Sequence, residues 1–334
     1  MKAMMVHHPK PVGERPLTLV EVPIPEPHHD EVLIRVEVCG VCRTDLHVTE
    51  GDLPPHKSPI TPGHEVVGTI VKRGPQAHLL QEGDQVGVAW LHASCGVCTY
   101  CQRQSENLCI APRFTGYNVD GGYAEYMLAP EAFVYPLPSG VTPSVVAPLL
   151  CAGIIGYRAL RQSGIRSGER LGLYGFGASA HIVLQIARFW GCDVYVATRG
   201  DKHRALASSM GAVWVGEATA QPPDKLQAAI IFAPAGELVP SALTALDRGG
   251  TLALAGIYMT PVPTLDYTTH LFYERTIRSV TANTRQDGRE LLELAKTIPI
   301  QTHIEEFPLA QANGALWKLK HDQINGAAVL RVAE

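Results

Sequence analysis

Leu171-Gly172-Leu173-Tyr174-Gly175-Phe176-Gly177-Ala178-Ser179-Ala180 runs from a short apolar segment through a glycine turn into a helix, and its reading decides the fold. The apolar segment reads as a strand, Ser179 to Trp190 as a helix, and Asp193 to Thr198 as the next strand. The turn has the spacing G-x-G-x-x-A. Its first glycine makes the bend, its second lets a pyrophosphate approach the backbone, and its small third residue permits close helix–strand packing. The helix N-terminus then offers free N–H groups to phosphates. Taken alone the spacing is weak, because a tight turn that binds nothing carries the same glycines. Its place in a strand–turn–helix–strand unit strengthens it.

Downstream, Lys202 to Met210 continues as a helix, and Ala228 to Phe232 and Thr251 to Ala255 are apolar runs without alternation. Strands of that kind are buried on both faces, as in a parallel sheet covered by helices. Upstream, the first 130 residues read as β-rich. Val32, Ile34, Val36 and Val38 alternate with Glu31, Leu33, Arg35 and Glu37, and further short runs cover Glu65 to Lys72 and Asp84 to Leu91. Prolines at 9, 11, 16, 23, 25 and 27 keep the N-terminal connections extended. The expectation is an α/β protein: a compact barrel-like β domain and a doubly wound parallel sheet, joined by packed segments.

Composition agrees with that outline. The chain has 334 residues, enough for two domains at about 150 residues each. It is 46% apolar and 18% charged, which excludes disorder and fibrous repeats. A net charge of −4 argues against nucleic acid or an anionic membrane as partner. The uncharged stretch Ala132 to Tyr157 could mislead a hydropathy scan, but Pro136, Pro138, Pro143 and Pro148 break any continuous span. It reads as a buried loop leading into a short core helix. Met1 to His8 lacks the apolar stretch of a secretory signal. A cytoplasmic setting is expected, with reduced cysteines that bind metal more readily than they pair.

Cys95, Cys98, Cys101 and Cys109 stand as C-x2-C-x2-C-x7-C. Two-residue gaps let neighbouring thiolates turn toward one centre about 2.3 Å away, and the fourth closes a tetrahedron with no open position, the pattern of a structural zinc. An iron–sulfur cluster and a nucleic-acid-binding zinc knuckle are the rivals, the knuckle weakened because Arg103 is the only base in the window. A second constellation is scattered: Cys39-Gly40-Val41-Cys42-Arg43-Thr44-Asp45-Leu46-His47, Gly63-His64-Glu65 and Pro148-Leu149-Leu150-Cys151-Ala152-Gly153. Taken singly, Cys151 reads as a small core hydrophobe, His64 as a loop histidine, and Cys39 with Cys42 as a redox pair. Spacing alone does not join them.

The second strand ends Tyr195-Val196-Ala197-Thr198-Arg199-Gly200, without the acid that would bind a ribose 2′-hydroxyl. Arg199, with Lys202 and Arg204 nearby, could meet a 2′-phosphate instead, which favours NADP; the alternative is that they are solvated surface bases. The cofactor site assigned to these turns comprises Gly175, Gly177, Ala178, Ala180, Thr198, Arg199, Lys202, Ala255 and Ile257.

With these motifs side by side, the chain resembles the zinc-dependent alcohol dehydrogenases of the medium-chain dehydrogenase/reductase superfamily. CGVCRTDLH, PGHE, DGGYAEY, PLLCAG and the four-cysteine lobe occur in family order over nearly the whole length. The resemblance implies a GroES-like catalytic domain over residues 1–153 and 284–334, with a structural zinc lobe at about 92–112, and a Rossmann domain over 154–283, the active site lying in the cleft between. It makes Cys42, His64 and Cys151 ligands of a catalytic zinc, leaves Cys39 outside the site, and gives Glu65 the place of a transient ligand. It also gives Asp45 the orientation of the histidine, Arg43 a cofactor pyrophosphate contact, Thr44 and His47 a proton relay, and Trp90 a place in the substrate pocket, whose shape is expected to depend on the packing of Trp90, Tyr117 and Ile257.

The chemistry implied is that two thiolates and a neutral imidazole cancel the charge of zinc and leave a fourth position for an alcohol or carbonyl oxygen. Thr44 would take the alcohol proton and pass it through the cofactor ribose to His47 and solvent. Cys151, where polyol and sugar dehydrogenases place a carboxylate, leans toward simple alcohols and aldehydes. The expected protein is therefore a primary-alcohol dehydrogenase with two zinc ions per chain and NADP(H), a tetramer by resemblance to short bacterial members. Enzymes using NAD or preferring secondary alcohols are the alternatives, and a zinc-binding module without catalysis is the remote one.

Overall fold

The computed structural model describes residues 1–138, 140–298, 300–324 and 326–333. Its contacts divide into two compact units. The first comprises Met1–Cys151, Ala282–Glu293 and Gln301–Glu334; the second comprises Ala152–Thr281 and Leu294–Ile300. Leu294–Ile300 thus groups with the second unit, whereas the resemblance implied that everything from 284 onward belongs with the first.

Among the described residues, the second unit holds six parallel strands in the order Trp214–Gly216, Asp193–Ala197, Arg170–Tyr174, Leu226–Ile231, Leu246–Leu254 and Thr276–Ser279. Numbered along the unit, that is 3-2-1-4-5-6, the doubly wound Rossmann order, whose ligand crevice lies where the order reverses. Here the reversal falls between Arg170–Tyr174 and Leu226–Ile231, which pair from Leu171↔Ala228 to Tyr174↔Ile231. Leu171, Leu173, Val194, Val196, Ala229, Ile230 and Leu252 are fully buried, so the unalternating apolar runs do form a sheet covered on both faces. The helix Ala178–Phe189 lies against the helix Ala152–Ser163 so closely that a Cβ on Gly156 would come 2.6 Å from Val183 Cγ2. The uncharged stretch near residue 150 becomes the short helical turns Pro143–Val146 and Ala147–Leu150 and then that helix. No single helix among the described residues is long and apolar enough to cross a membrane.

The first unit is organised around the long strand Glu31–Val41. Val66–Arg73 pairs along one edge. The other edge is divided: Tyr126–Pro130 pairs with its first half and Ala327–Arg331 with its second, Leu330 opposite Cys39 and Ala328 opposite Val41. Gln85–Val88 and Val134–Pro136 extend the sheet on one side and Ile304–Pro308 on the other, completing, among the described residues, seven strands of a GroES-like domain. Val32, Ile34, Val36 and Val38 are buried and Arg35 is exposed as the alternation predicts, but Leu33, expected on the outward face, is buried too, and the alternation ends at Cys39, Gly40 and Val41, which are all buried. The strand therefore enters the interior just before residue 42. A two-stranded ribbon, Leu91–Ala93 with Arg113–Phe114, brackets the four-cysteine lobe.

Candidate active site

Cys42 terminates the central strand and caps the helix Arg43–Glu50. Its Sγ accepts from the Thr44 backbone N–H at 3.3 Å, and Asp45 Oδ2 accepts from the Cys42 backbone N–H at 2.9 Å. The same carboxylate reaches a second segment: Asp45 Oδ1 lies 2.9 Å from His64 Nδ1 and accepts from the Gly63 N–H at 3.1 Å. Gly63 has φ of +101°, and a Cβ there would strike the Tyr123 ring and Cys39 Sγ, so this turn needs glycine. With Nδ1 engaged by Asp45, His64 turns Nε2 toward Cys42 Sγ, 3.2 Å away. Tetrahedral zinc with nitrogen at about 2.0 Å and sulfur at about 2.3 Å would separate such a pair by roughly 3.5 Å.

The ligating atoms of Cys42, His64, Glu65 and Cys151 all lie within 4.8 Å of one another. His64 and Glu65 are buried, and the Glu65 carboxylate occupies space that a Cβ on Gly40 would fill. Cys39 is fully buried beside this group and is not one of the four.

Electrostatics fit a cation. Burial pushes the Glu65 carboxyl well above the usual carboxylate range, and the neighbouring Cys42 charge pushes it further. Burial also opposes ionisation of Cys42, but the hydrogen bond from Cys151 and the charge of His64 outweigh it and hold this thiol well below its ordinary value. Cys151 is driven the other way, chiefly by that hydrogen bond to Cys42. Three anionic or potentially anionic donors and one imidazole share a desolvated pocket, an arrangement a divalent soft-to-borderline metal would neutralise.

The four-cysteine lobe is equally compact. The sulfurs of Cys95, Cys98, Cys101 and Cys109 lie within 4.8 Å of one another, with Cys98–Cys101 at 3.5 Å and Cys95–Cys101 at 3.9 Å. A tetrahedron of sulfurs about 2.3 Å from zinc has edges of about 3.8 Å. Backbone N–H groups point at the sulfurs: Cys95 and Ala111 donate to Cys109 Sγ, and Cys98 donates to Cys95 Sγ. Such bonds, from Cys101 first, bring the Cys98 thiol down to about 6. Glu106 anchors the lobe by accepting from the backbone N–H and Nε of Arg285, both at 3.0 Å. All eight cysteines are free thiols.

Other predicted residues fall as follows. Trp90 sits edge-on to His64, with centroids 5.0 Å apart, and stacks with Tyr117 at 5.9 Å. Phe114, stacked with Trp90 at 4.8 Å, and His56 against Tyr117 complete the wall, and sequence reasoning missed both. Thr44 is buried; His47 Nδ1 lies 2.8 Å from Asp52 Oδ2. Arg43 is ion-paired with Asp322 at 2.6 Å. These partners lie outside the quoted motifs, and Asp322 is so distant along the chain that no local signal points to it.

In the second unit, Gly175 has φ of +88°, and a Cβ would come 3.0 Å from Ala233. Gly177 is different: a Cβ there would meet nothing within 4 Å, so open space faces the backbone at the turn where the helix Ala178–Phe189 begins without a side-chain cap. Ala180 is fully buried, as close packing of the third position requires. Thr198 is buried at the strand end, Ala255 is buried and donates its N–H to Ile231, and Ile257 is 55% exposed. Arg199 and Lys202 are exposed, whereas Arg204 is committed to Asp201 and Glu217, both at 2.5 Å. Arg204 is thus withdrawn from the group of bases expected to face a cofactor.

A Rossmann unit and a GroES-like unit bearing two thiol-rich ligand clusters define a metal-assisted dehydrogenase. The alcohol dehydrogenase GroES-like domain matches residues 28–139, and the zinc-binding dehydrogenase domain matches residues 180–297. The chain is 51% identical to the probable alcohol dehydrogenase AdhA of Mycobacterium tuberculosis, over 99% of this chain and 97% of that one. Among solved structures it is similar to the cobalt- and zinc-bound thermostable alcohol dehydrogenase of Pyrobaculum aerophilum (TM-score 0.89, 25% identity, 99% of each chain). It is also similar to the acetophenone reductase of Geotrichum candidum in complex with NAD (TM-score 0.87, 27% identity, 99% of this chain and 96% of that one). The chain belongs to the zinc-type alcohol dehydrogenases of the medium-chain dehydrogenase/reductase superfamily, and it is an alcohol dehydrogenase.

Proposed function

We propose that the chain interconverts primary alcohols and aldehydes with NADP(H), using one zinc held by Cys42, His64 and Cys151 and a second held by Cys95, Cys98, Cys101 and Cys109. The observation that carries this reading is the Asp45 carboxylate, which ties the Cys42 and His64 segments together and leaves His64 Nε2 turned toward Cys42 Sγ. Zinc there would supply Lewis acidity to an alcohol or carbonyl oxygen, and the nicotinamide would exchange the hydride. Glu65, gathered with the other three donors, fills a position that substrate would take. Trp90 and Tyr117 present an apolar wall and exclude water. Thr44 accepts the alcohol proton, and His47, held by Asp52, passes it to solvent.

The Rossmann turn supports a dinucleotide, and the NAD complex of the Geotrichum reductase supports a nicotinamide. The choice of NADP rests on the second strand, where no acid follows Ala197 and where Arg199 and Lys202 have no ion-pair partner among the described residues. Metal analysis should find two zinc ions per chain. A panel of aldehydes should give higher kcat/KM with NADPH than with NADH; the reverse preference overturns the cofactor choice, and one zinc per chain overturns the two-site reading.

A further inference from the structure

Gly40 stands inside the strand Glu31–Val41, opposite Val329 on one edge, while its own N–H donates to the Glu65 carbonyl at 2.9 Å on the other. Nothing in its backbone calls for glycine: unlike Gly63, its φ lies outside the left-handed region. Glycine weakens a strand interior, and where it stands there it often marks a place that another group approaches closely. The approaching group here is the Glu65 side chain. A Cβ at residue 40 would overlap Glu65 Oε2 and lie 2.8 Å from Glu65 Cβ and Cδ. The carboxylate thus rests over the bare α-carbon of Gly40, with an oxygen within 4.8 Å of the donor atoms of Cys42, His64 and Cys151. Hydrogen bonding on both edges holds the backbone of residue 40, so a carbon added there must be answered by a movement of Glu65.

We propose that Gly40 is the positioning residue of Glu65: the missing side chain at residue 40 is the notch that admits the carboxylate to the group formed by Cys42, His64 and Cys151. Residue 40 thereby sets how Glu65 and an outside ligand share the fourth position on the metal. The inference rests on the zinc site proposed above. A methyl group in the notch evicts the carboxylate and leaves three protein donors. Glu65 and an outside ligand compete for one position, so eviction has two effects of opposite sign. The metal loses a donor and is held less tightly, while a small outside ligand, freed from competition, binds the metal more tightly. General damage to the site would weaken both.

The test uses the full chain loaded with cobalt, whose visible absorption reports its donors, and imidazole as the outside ligand. The variants are Gly40→Ala, Glu65→Gly and the two combined. Glycine is used at residue 65 because the new carbon would also crowd Glu65 Cβ. Each single variant should weaken metal retention about tenfold in chelator competition, and each should tighten imidazole about tenfold. The double variant should match Glu65→Gly within about twofold, because residue 40 acts only through the side chain at 65. The four-cysteine metal stays bound throughout and serves as the internal control. Weaker imidazole binding in Gly40→Ala, additive effects in the double variant, or unchanged metal retention would each overturn the proposal. If Gly40→Ala alone does not fold, the double variant must, since the overlap is gone; failure of both also overturns it. Wild-type protein that takes up metal only at the four-cysteine lobe would instead overturn the reading of Cys42, His64 and Cys151 as a metal site.

Discussion

Asp45→Asn isolates the connection between the two segments that hold Cys42 and His64. The wild-type carboxylate accepts three hydrogen bonds, from the backbone N–H groups of Cys42 and Gly63 and from His64 Nδ1, in a position only 1% exposed. Asparagine keeps the shape but offers one oxygen, so its amide must face one of those donors with N–H groups of its own. A buried donor left unpaired costs about 1–3 kcal/mol, and the remaining bonds lose the charge that made them stronger. The histidine also loses the negative partner that fixes its tautomer and raises its basicity, a change typically worth 10- to 100-fold in metal affinity. The expected result is a 10- to 100-fold weaker catalytic zinc, about 1.4–2.7 kcal/mol, with the four-cysteine zinc retained. Chelator competition followed by metal analysis reads this directly, one site at a time. If the variant held the zinc at Cys42, His64 and Cys151 within twofold of wild type, the assignment of Asp45 as the residue that positions His64 would be wrong.

Three further outcomes test other parts of the molecule. Cys98→Ser should remove one zinc per chain and lower the thermal midpoint by several degrees, measurable by calorimetry, while the Asp45-linked site stays loaded. Arg199→Ala should raise KM for NADPH about tenfold and leave NADH nearly unchanged; equal changes for both would show that Arg199 does not meet a 2′-phosphate. Glu106→Gln should destabilise the protein by about 2 kcal/mol at neutral pH by weakening its charged bonds to Arg285. Burial opposes the Glu106 charge, but bonds and charge from Arg285 outweigh it and hold the carboxyl below its ordinary range. Its contribution is present above the unfolded value and lost as pH falls through the lower folded one, so wild type and variant should converge in acid.

The sheet of the second unit was legible because its strands are apolar on both faces, and such runs stand out from their surroundings. Trp214–Gly216 and Thr276–Ser279 were not anticipated: the first is only three residues long, and the second is mostly exposed at the sheet edge, with no apolar signal. The four-cysteine lobe could be read from spacing because all its ligands fall within one short window. Cys42, His64 and Cys151 could not, since the folded strands and turns, and no local pattern, bring them together. Arg204 shows a different limit. Three bases near a strand end look equivalent in sequence, and only the side-chain directions reveal that one is already spent on Asp201 and Glu217. Likewise Phe114 joins the Trp90 wall through the pairing of the ribbon at Leu91, which places Phe114 opposite it.

The divided edge of the strand Glu31–Val41 has a consequence for how the protein matures. Its half nearest Cys42 is flanked by Ala327–Arg331, nearly three hundred residues later in the chain, while its first half finds Tyr126–Pro130 much sooner. During synthesis the Rossmann sheet, whose strands all lie between residues 170 and 279, can close while the half of the strand nearest Cys42 is paired along one edge only, with Val66–Arg73. The second edge of the segment that ends at Cys42 is thereby left open until the ribosome has delivered residue 331. A nascent chain stalled short of that point would carry a finished nucleotide-binding fold and an open, redox-vulnerable thiol.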